Sequence, residues 1–363
     1  MSYQIFALEF GKGKNRKGKN RKNLNIARVE VRQNNQNRDG DLPNLVSYYE
    51  NGKVKNETWV KNGKCHRDGD LPAFVKYNEN GGIECQRWYQ NNENRRDGDL
   101  PAYITYHENG GIECQRWYQN DENHRDGDLP AYITYHENGN VKNRIWCRGG
   151  KTHRDGDLPA VFEYYQNGTV DTEQWFQNDL CQRDGDLPAF VKYSENGTIF
   201  CQKWHQNGKC HRDGDLPAII EYSENGAIVD KKWYQNGKCY RNGDLPAVIE
   251  YRENGTIRCQ KWCQHSKCHR DGDLPAIVEY HQNGNVATEG WWQNGEVHRD
   301  GDLPAVVKYS ENGTILRQEW GRKSKWHRDG DLPAVIQYHE NGTVSGKKWY
   351  RHGVFHRDEV FEN

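Results

Sequence analysis

The sequence predicts an all-β protein, an elongated array of eleven 29-residue β-hairpin repeats. Three observations carry that prediction. All eleven prolines lie 29 residues apart, from Pro43 to Pro333. Each proline is followed by a strand-like run and then an Asn-Gly pair, the strongest short-range signal for a hairpin turn. Every unit also holds two to four glycines besides its proline, and no 3.6-residue apolar period survives that punctuation. A fixed period of this size marks stacked units, none of which buries its apolar side alone.

In chain order, residues 1–37 come first and read as an N-terminal cap. They carry two strand-like runs, IFALEF and NLNIARVEV, joined by a basic segment, 12–22, with seven Lys or Arg. The repeats follow without insertion or deletion over 38–356. One unit reads RDGDLPAVVKYSENGTILRQEWGRKSKWH, from Arg299 to His327. Its first strand is expected over Leu303 to Tyr309, rich in β-branched and aromatic residues. The second is expected to start at Ile315 and end near Trp320. The Ile315 column is Val or Ile throughout, and the Trp320 column never varies. The units then turn again, two of them through Gln-Asn-Gly-Lys at 206–209 and 235–238. Residues 357–363 read as a truncated twelfth unit and C-terminal cap that shields the sheet edge.

The hairpin register decides which side chains share a face. A three-residue Glu-Asn-Gly loop with a Gly bulge sets Tyr309 opposite Ile315. It gathers Ala305, Val307, Tyr309 and Ile315 on one face and leaves Lys308 and Gln318 on the other. Trp320 then falls on the polar side with Val306, as a second, aromatic stripe. At two strands per unit and ~4.8 Å per strand, a single sheet would extend about 100 Å.

Composition limits the function classes. Apolar residues are only 34% of the chain and net charge is −1. The 13 Trp and 21 Tyr recur at fixed positions, which a disordered chain would not show. The charge gives no overall pull toward nucleic acid or anionic lipid; only the segment 12–22 signals an anionic partner. The N-terminus does not read as a secretory signal and no apolar run reaches membrane-spanning length, so a cytoplasmic location is expected. On that reading the six Asn-x-Thr sequons, such as Asn56 and Asn312, are not glycosylated.

Each motif with chemical potential has a structural reading that outweighs it. The Arg-Asp-Gly-Asp-Leu-Pro loop, with Asn242 as its one exception, lacks the longer ligand series of a calcium loop. It reads as a tight turn, with Asp accepting backbone N–H bonds and Arg pairing between neighbouring units. His-Arg-Asp resembles a kinase catalytic loop only in three letters, since the following Asn is missing. Eight His share one column (His66, His124, His153, His211, His269, His298, His327, His356) that elsewhere holds Asn37, Arg95, Gln182 and Tyr240. A metal ligand would not tolerate that exchange. Cys65, Cys181, Cys210, Cys239 and Cys268 share a second column, and Cys85, Cys114, Cys201 and Cys259 a third. Cys147 and Cys263 follow the Trp. All eleven read as reduced, space-filling thiols. The residue after the Trp (Tyr89, Phe176, His205, Trp292) is expected to be the exposed aromatic component. No catalytic, cofactor or metal residue emerges, and no cofactor is expected.

The unit as a whole, an aromatic followed by x-x-Asn-Gly, a strand, Trp-Tyr and a second Asn-Gly-Lys, resembles the MORN-variant repeat. That family includes bacterial antitoxin-like proteins and repeat proteins of large DNA viruses of amoebae, and the HRDGDLPA signature resembles the viral group most closely. The resemblance covers about 88% of the chain. It implies a β-hairpin ribbon used for protein or membrane association. Standard MORN units are shorter and lack the RDGDLP loop, so the membrane role transfers poorly and no functional residue is carried over.

Two near-identical blocks, AYITYHENG at 102–110 and 131–139 and GGIECQRWYQN at 81–91 and 110–120, show duplication of whole units. This favours a non-enzymatic scaffold whose reach matters, one that binds protein, self-associates or serves as a viral structural component. A calcium- or glycan-binding adhesin and an antitoxin-like inhibitor are the alternatives.

Overall fold

The computed structural model describes residues 42–362, together with the backbone of two short strands at Gln4–Ile5 and Arg28–Val31. None of the described residues is helical. The chain divides into two units, Met1–Asp179 and Leu180–Asn363, each built from the same hairpin. In the first, Gln4–Ile5 pairs with Arg28–Val31, which pairs with Leu45–Tyr48, and antiparallel pairing then runs from hairpin to hairpin up to Val170–Gln174. In the second, the same pairing runs from Phe190–Tyr193 to Val354–Val360. The basic segment 12–22 lies outside the described residues.

One repeat carries four strands. Val306–Tyr309 and Ile315–Glu319 enter the main sheet, while Gly321–Arg322 and Lys325–Trp326 form a separate small ribbon. The first strand starts later than expected. Pro304 has no N–H to give to a ladder, so pairing begins at Ala305, whose N–H donates to Glu319 O at 2.7 Å. Leu303 stays outside the strand and 45% exposed.

The first turn is the three-residue loop expected from Glu311-Asn312-Gly313. Ser310 N–H donates to Thr314 O at 2.8 Å, Gly313 N–H to Ser310 O at 2.9 Å, and Gly313 sits at φ 84°, where a Cβ would be strained. Tyr309 faces Ile315. The register then slips by one residue, because Lys308 faces Arg317 and Leu316 has no opposite number. This second bulge overturns the expected split of faces. Gln318 now lies opposite Val307 and Glu319 opposite Val306, so Trp320 joins Ala305 and Val307. The same slip recurs in the other hairpins of both units, for example at Lys76/Tyr77 and Glu221/Tyr222. Trp320 and its equivalents therefore form no stripe on the polar side.

With Trp moved to the apolar face, the core is built between neighbours. Trp88 is 6% exposed and packs on Ala102 and Ile104 of the next repeat, with Tyr106 and Tyr118 at the margin. Trp262 does the same with Ala276 and Val278. The backbone N–H of Trp88 also donates to Ala102 O at 2.8 Å. Ala102 itself is 1% exposed, leaving no room for a larger side chain beneath the indole. Burying one indole removes about 200 Å² from water, about 5 kcal/mol at most.

A polar column shares this face and takes up tyrosine hydroxyls of the following repeat. The Tyr106 hydroxyl donates to Gln86 Oε1 at 2.6 Å, and Tyr222 to Gln202 Oε1 at 2.7 Å. Tyr309 donates to Glu289 at 2.7 Å; burial, reinforced by that carboxylate, pushes its hydroxyl up to about 12.

Candidate interaction surface

The RDGDLP loop is where the sequence concentrated its charge, and the structure shows most of that charge consumed internally. Arg212 forks onto Asp186 of the preceding repeat, Nε to Oδ1 at 2.6 Å and Nη2 to Oδ2 at 2.8 Å. Its Nη1 donates to Pro217 O at 3.2 Å, and its guanidinium lies 3.9 Å from the Trp204 ring centroid. Equivalent clamps join Arg125 to Asp99, Arg154 to Asp128, Arg241 to Asp215, Arg270 to Asp244 and Arg328 to Asp302. One planar, five-donor group thus closes its own loop and grips the previous unit twice, through its Asp and through its Trp. The hydrogen bonds from Arg212 hold the Asp186 carboxyl below its ordinary value. The expected Arg pairing between units is present, while the aspartates take side-chain donors rather than the backbone N–H groups expected of them.

This arrangement predicts a sharp Arg–Lys difference. Lysine can reach one carboxylate oxygen but can neither fork nor stack. Arg212→Lys is expected to cost about 2 kcal/mol in urea melts, close to the cost of Arg212→Ala. A loss below about 0.5 kcal/mol would mean that the clamp is only a surface ion pair.

The histidine column serves a related end. His211 Nε2 lies 3.0 Å from Asp213 Oδ1 in its own loop, and its Nδ1 accepts the Asn236 N–H of the next repeat at 3.1 Å. An accepting Nδ1 requires the proton on Nε2, where it can donate to the aspartate. Gln182 accepts from Asn207 N–H at 3.3 Å in the same place, which explains why this column tolerates exchange. Asp213 and its equivalents are therefore also paired, and the described residues contain no cluster of three or more His, Cys, Asp or Glu arranged to hold a metal.

The thiols divide by environment. Cys85, Cys114, Cys201 and Cys259 are 2–6% exposed in the sheet, and burial pushes the Cys259 thiol up to about 11. All eleven cysteines are free. On the same face, Arg116 lies between the Tyr103 and Tyr132 rings at 5.4 and 4.5 Å, and Arg87 is 4.8 Å from Tyr103. These rails border an open cavity of about 640 Å³ that reaches Lys76, Glu84 and Glu108.

The aromatic that follows each Trp is not the exposed component expected. Tyr89 packs against the Trp59, Ala73 and Val75 cluster, and Trp292 against that of Trp262. The side chain that does face solvent is the leucine of RDGDLP. Leu71, Leu100, Leu129, Leu216, Leu245 and Leu274 are each 42–46% exposed, one per repeat. The sequence placed this leucine in a strand and so hid it. Between successive loops lies a groove of about 480 Å³, lined by Arg299, Asp302, Leu303, Arg322, Arg328 and Leu332. A second exposed feature is Val354–Val360, paired among the described residues on one side only, with Val344–Arg351. Val354, Phe355 and Val360 there are 62%, 51% and 78% exposed. The expected C-terminal cap boundary at 357 falls inside this strand.

No protein-family model matches the chain, and no curated protein does. Among solved structures, a complex described as TcdB2-TccC3-Cdc42 aligns at 12% identity and TM-score 0.17, covering 89% of this chain and 16% of that one. A porin-like protein from Bacteroides uniformis aligns at 11% identity and TM-score 0.18, covering 55% of this chain and 86% of that one. Likeness at this level carries no argument about fold or activity.

Proposed function

We propose that this chain is a non-enzymatic repeat scaffold that associates with protein. One observation carries the reading: in each repeat the charged, aromatic and small residues that recur are spent on the neighbouring repeat, and the recurring leucine is left facing solvent. Exposed apolar side chains repeated at a fixed spacing, rimmed by groups already neutralised in pairs, form a surface that binds without large desolvation cost. Loop carboxylates already paired with Arg or His weigh against the calcium reading. Free thiols throughout favour a reducing compartment such as the cytoplasm. A viral structural role is one form this scaffold would take.

The triple variant Leu216→Ser, Leu245→Ser, Leu274→Ser tests the reading. Its melting temperature is expected to stay within a few degrees of the parent, because these side chains bury little. Capture of protein partners from the native cell or particle is expected to fall about tenfold or more, an affinity loss of ~1.4 kcal/mol. Unchanged capture would reject the leucine row as the binding surface.

Self-association is a second reading, favoured by the one-sided strand Val354–Val360. It predicts concentration-dependent growth in light scattering that Val354→Lys with Val360→Lys suppresses.

A further inference from the structure

One hairpin departs from the others. The two positions flanking the second turn hold Tyr and Asn, Cys and Thr, Phe and Cys or similar pairs elsewhere, but only Cys263 and Cys268 place a thiol at both. They are cross-strand partners, joined through Gln264 and Lys267 and the turn His265-Ser266. His265 and Ser266 have φ of 51° and 68°, the geometry of a two-residue type I′ turn. In such a hairpin the pair beside the turn, Gln264 and Lys267, is hydrogen-bonded, and the next pair outward is not. The pair after that is bonded again: His269 N–H donates to Trp262 O at 3.0 Å. Cys263 and Cys268 therefore occupy a non-hydrogen-bonded pair. There the side chains approach most closely, with Cα atoms about 4.5 Å apart, inside the span that a disulfide bridges.

A third thiol adjoins them. Cys239, in the previous repeat, is 7% exposed and packs with Ala247 and Val248, and Cys263 lies against that cluster. Its position is fixed from both sides of its peptide unit. Cys239 N–H donates to Ser266 Oγ at 3.0 Å, and Cys239 O accepts Ser266 N–H at 3.0 Å. Cys263 thus stands between Cys268 on its own hairpin and Cys239 below. Interaction with Cys263 lowers the Cys239 thiol, and interaction with Cys239 holds Cys263 up at about 12. Interaction with Cys263 likewise raises Cys268.

We propose that Cys263 and Cys268 form a reversible disulfide in response to hydrogen peroxide, with Cys239 as the adjoining third thiol. One sulfur of the pair attacks a peroxide oxygen and breaks the O–O bond. This gives a sulfenic acid and one water once the thiol proton has passed to the departing oxygen. The second sulfur attacks the sulfenic sulfur, the S–OH bond breaks, and the hydroxyl leaves with the second thiol proton as another water. The two thiols together lose two electrons and two protons, and peroxide is reduced to two waters. The closed bond pins the second hairpin at the point where it meets the previous repeat through Ser266. Its failure and that of the scaffold reading are independent.

Trypsin makes the test direct, because Lys267 separates the two cysteines. The full-length chain is treated with hydrogen peroxide, alkylated under denaturing conditions and digested. The expected product is a linked pair of peptides, Trp262–Lys267 joined to Cys268–Arg270, two hydrogens lighter than their sum. It should disappear with dithiothreitol. Cys268→Ser is expected to abolish this product and to move the bond to Cys239–Cys263. Cys239→Ser is expected to leave it in place. Free, alkylatable Cys263 and Cys268 after the other cysteines have oxidised would overturn the proposal, as would sulfinic acid at either one without a linked peptide.

Discussion

Trp88→Ala destabilises the protein by about 3–5 kcal/mol, the largest effect expected of any single substitution. The indole is 6% exposed and touches the next repeat rather than its own, so its loss opens a cavity at a junction between repeats. The site collapses poorly, because Ala102 below it is backbone-close and Arg96 above it is held by Asp70 and by Pro101 O. Part of the cost therefore falls on the Arg96 clamp, whose stack on Trp88 at 4.0 Å is lost. Chemical denaturation monitored by circular dichroism checks the magnitude, and native-state hydrogen exchange checks the location. Protection is expected to fall first in Tyr103–Tyr106 and Ile112–Arg116. A loss below about 1 kcal/mol would mean that the Trp column is not the core.

Deletion of 29 residues, Arg212 to Tyr240, leaves a folded chain one repeat shorter. His211 then leads into Arg241, which meets Asp186 as Arg212 does, and Trp204 meets Ala247 in place of Ala218. Deletion of about half as much, Arg212 to Gly226, has the opposite result. It removes one loop and one strand, leaves Asp186 without its guanidinium and Trp204 without its alanine, and inverts the strand direction that follows. The first variant is expected to keep a cooperative melt within a few degrees of the parent. The second is expected to lose that transition over its region and to become protease-sensitive there. Similar behaviour of the two would refute modularity.

The period, the all-β class and the first turn were legible because each is written in local chemistry: the recurring proline for the period, Asn312-Gly313 for the turn. The bulge at Leu316 was not. A strand read with period two gives no sign of an inserted residue, and one such residue exchanges every later side chain between faces. That single slip misplaced Trp320 and Gln318. It also hid the purpose of Gln318, which becomes clear once Tyr338 of the next repeat is seen to donate to it at 2.7 Å. For the surface, Arg pairing between units was readable from charge alone. The exposure of Leu303 was not, since a leucine beside a strand is normally counted as core.

The links between repeats have a constant sequence separation. Tyr–Gln bonds span 20 residues, His Nδ1–backbone bonds 25, Arg–Asp clamps 26 and turn asparagine–carbonyl bonds 26 or 28. Each added repeat lengthens the chain without lengthening these loops, so relative contact order falls as the array grows. Folding can then start at any adjacent pair of hairpins and spread in both directions. A nascent chain with only three repeats exposed already holds each recurring type of contact between repeats.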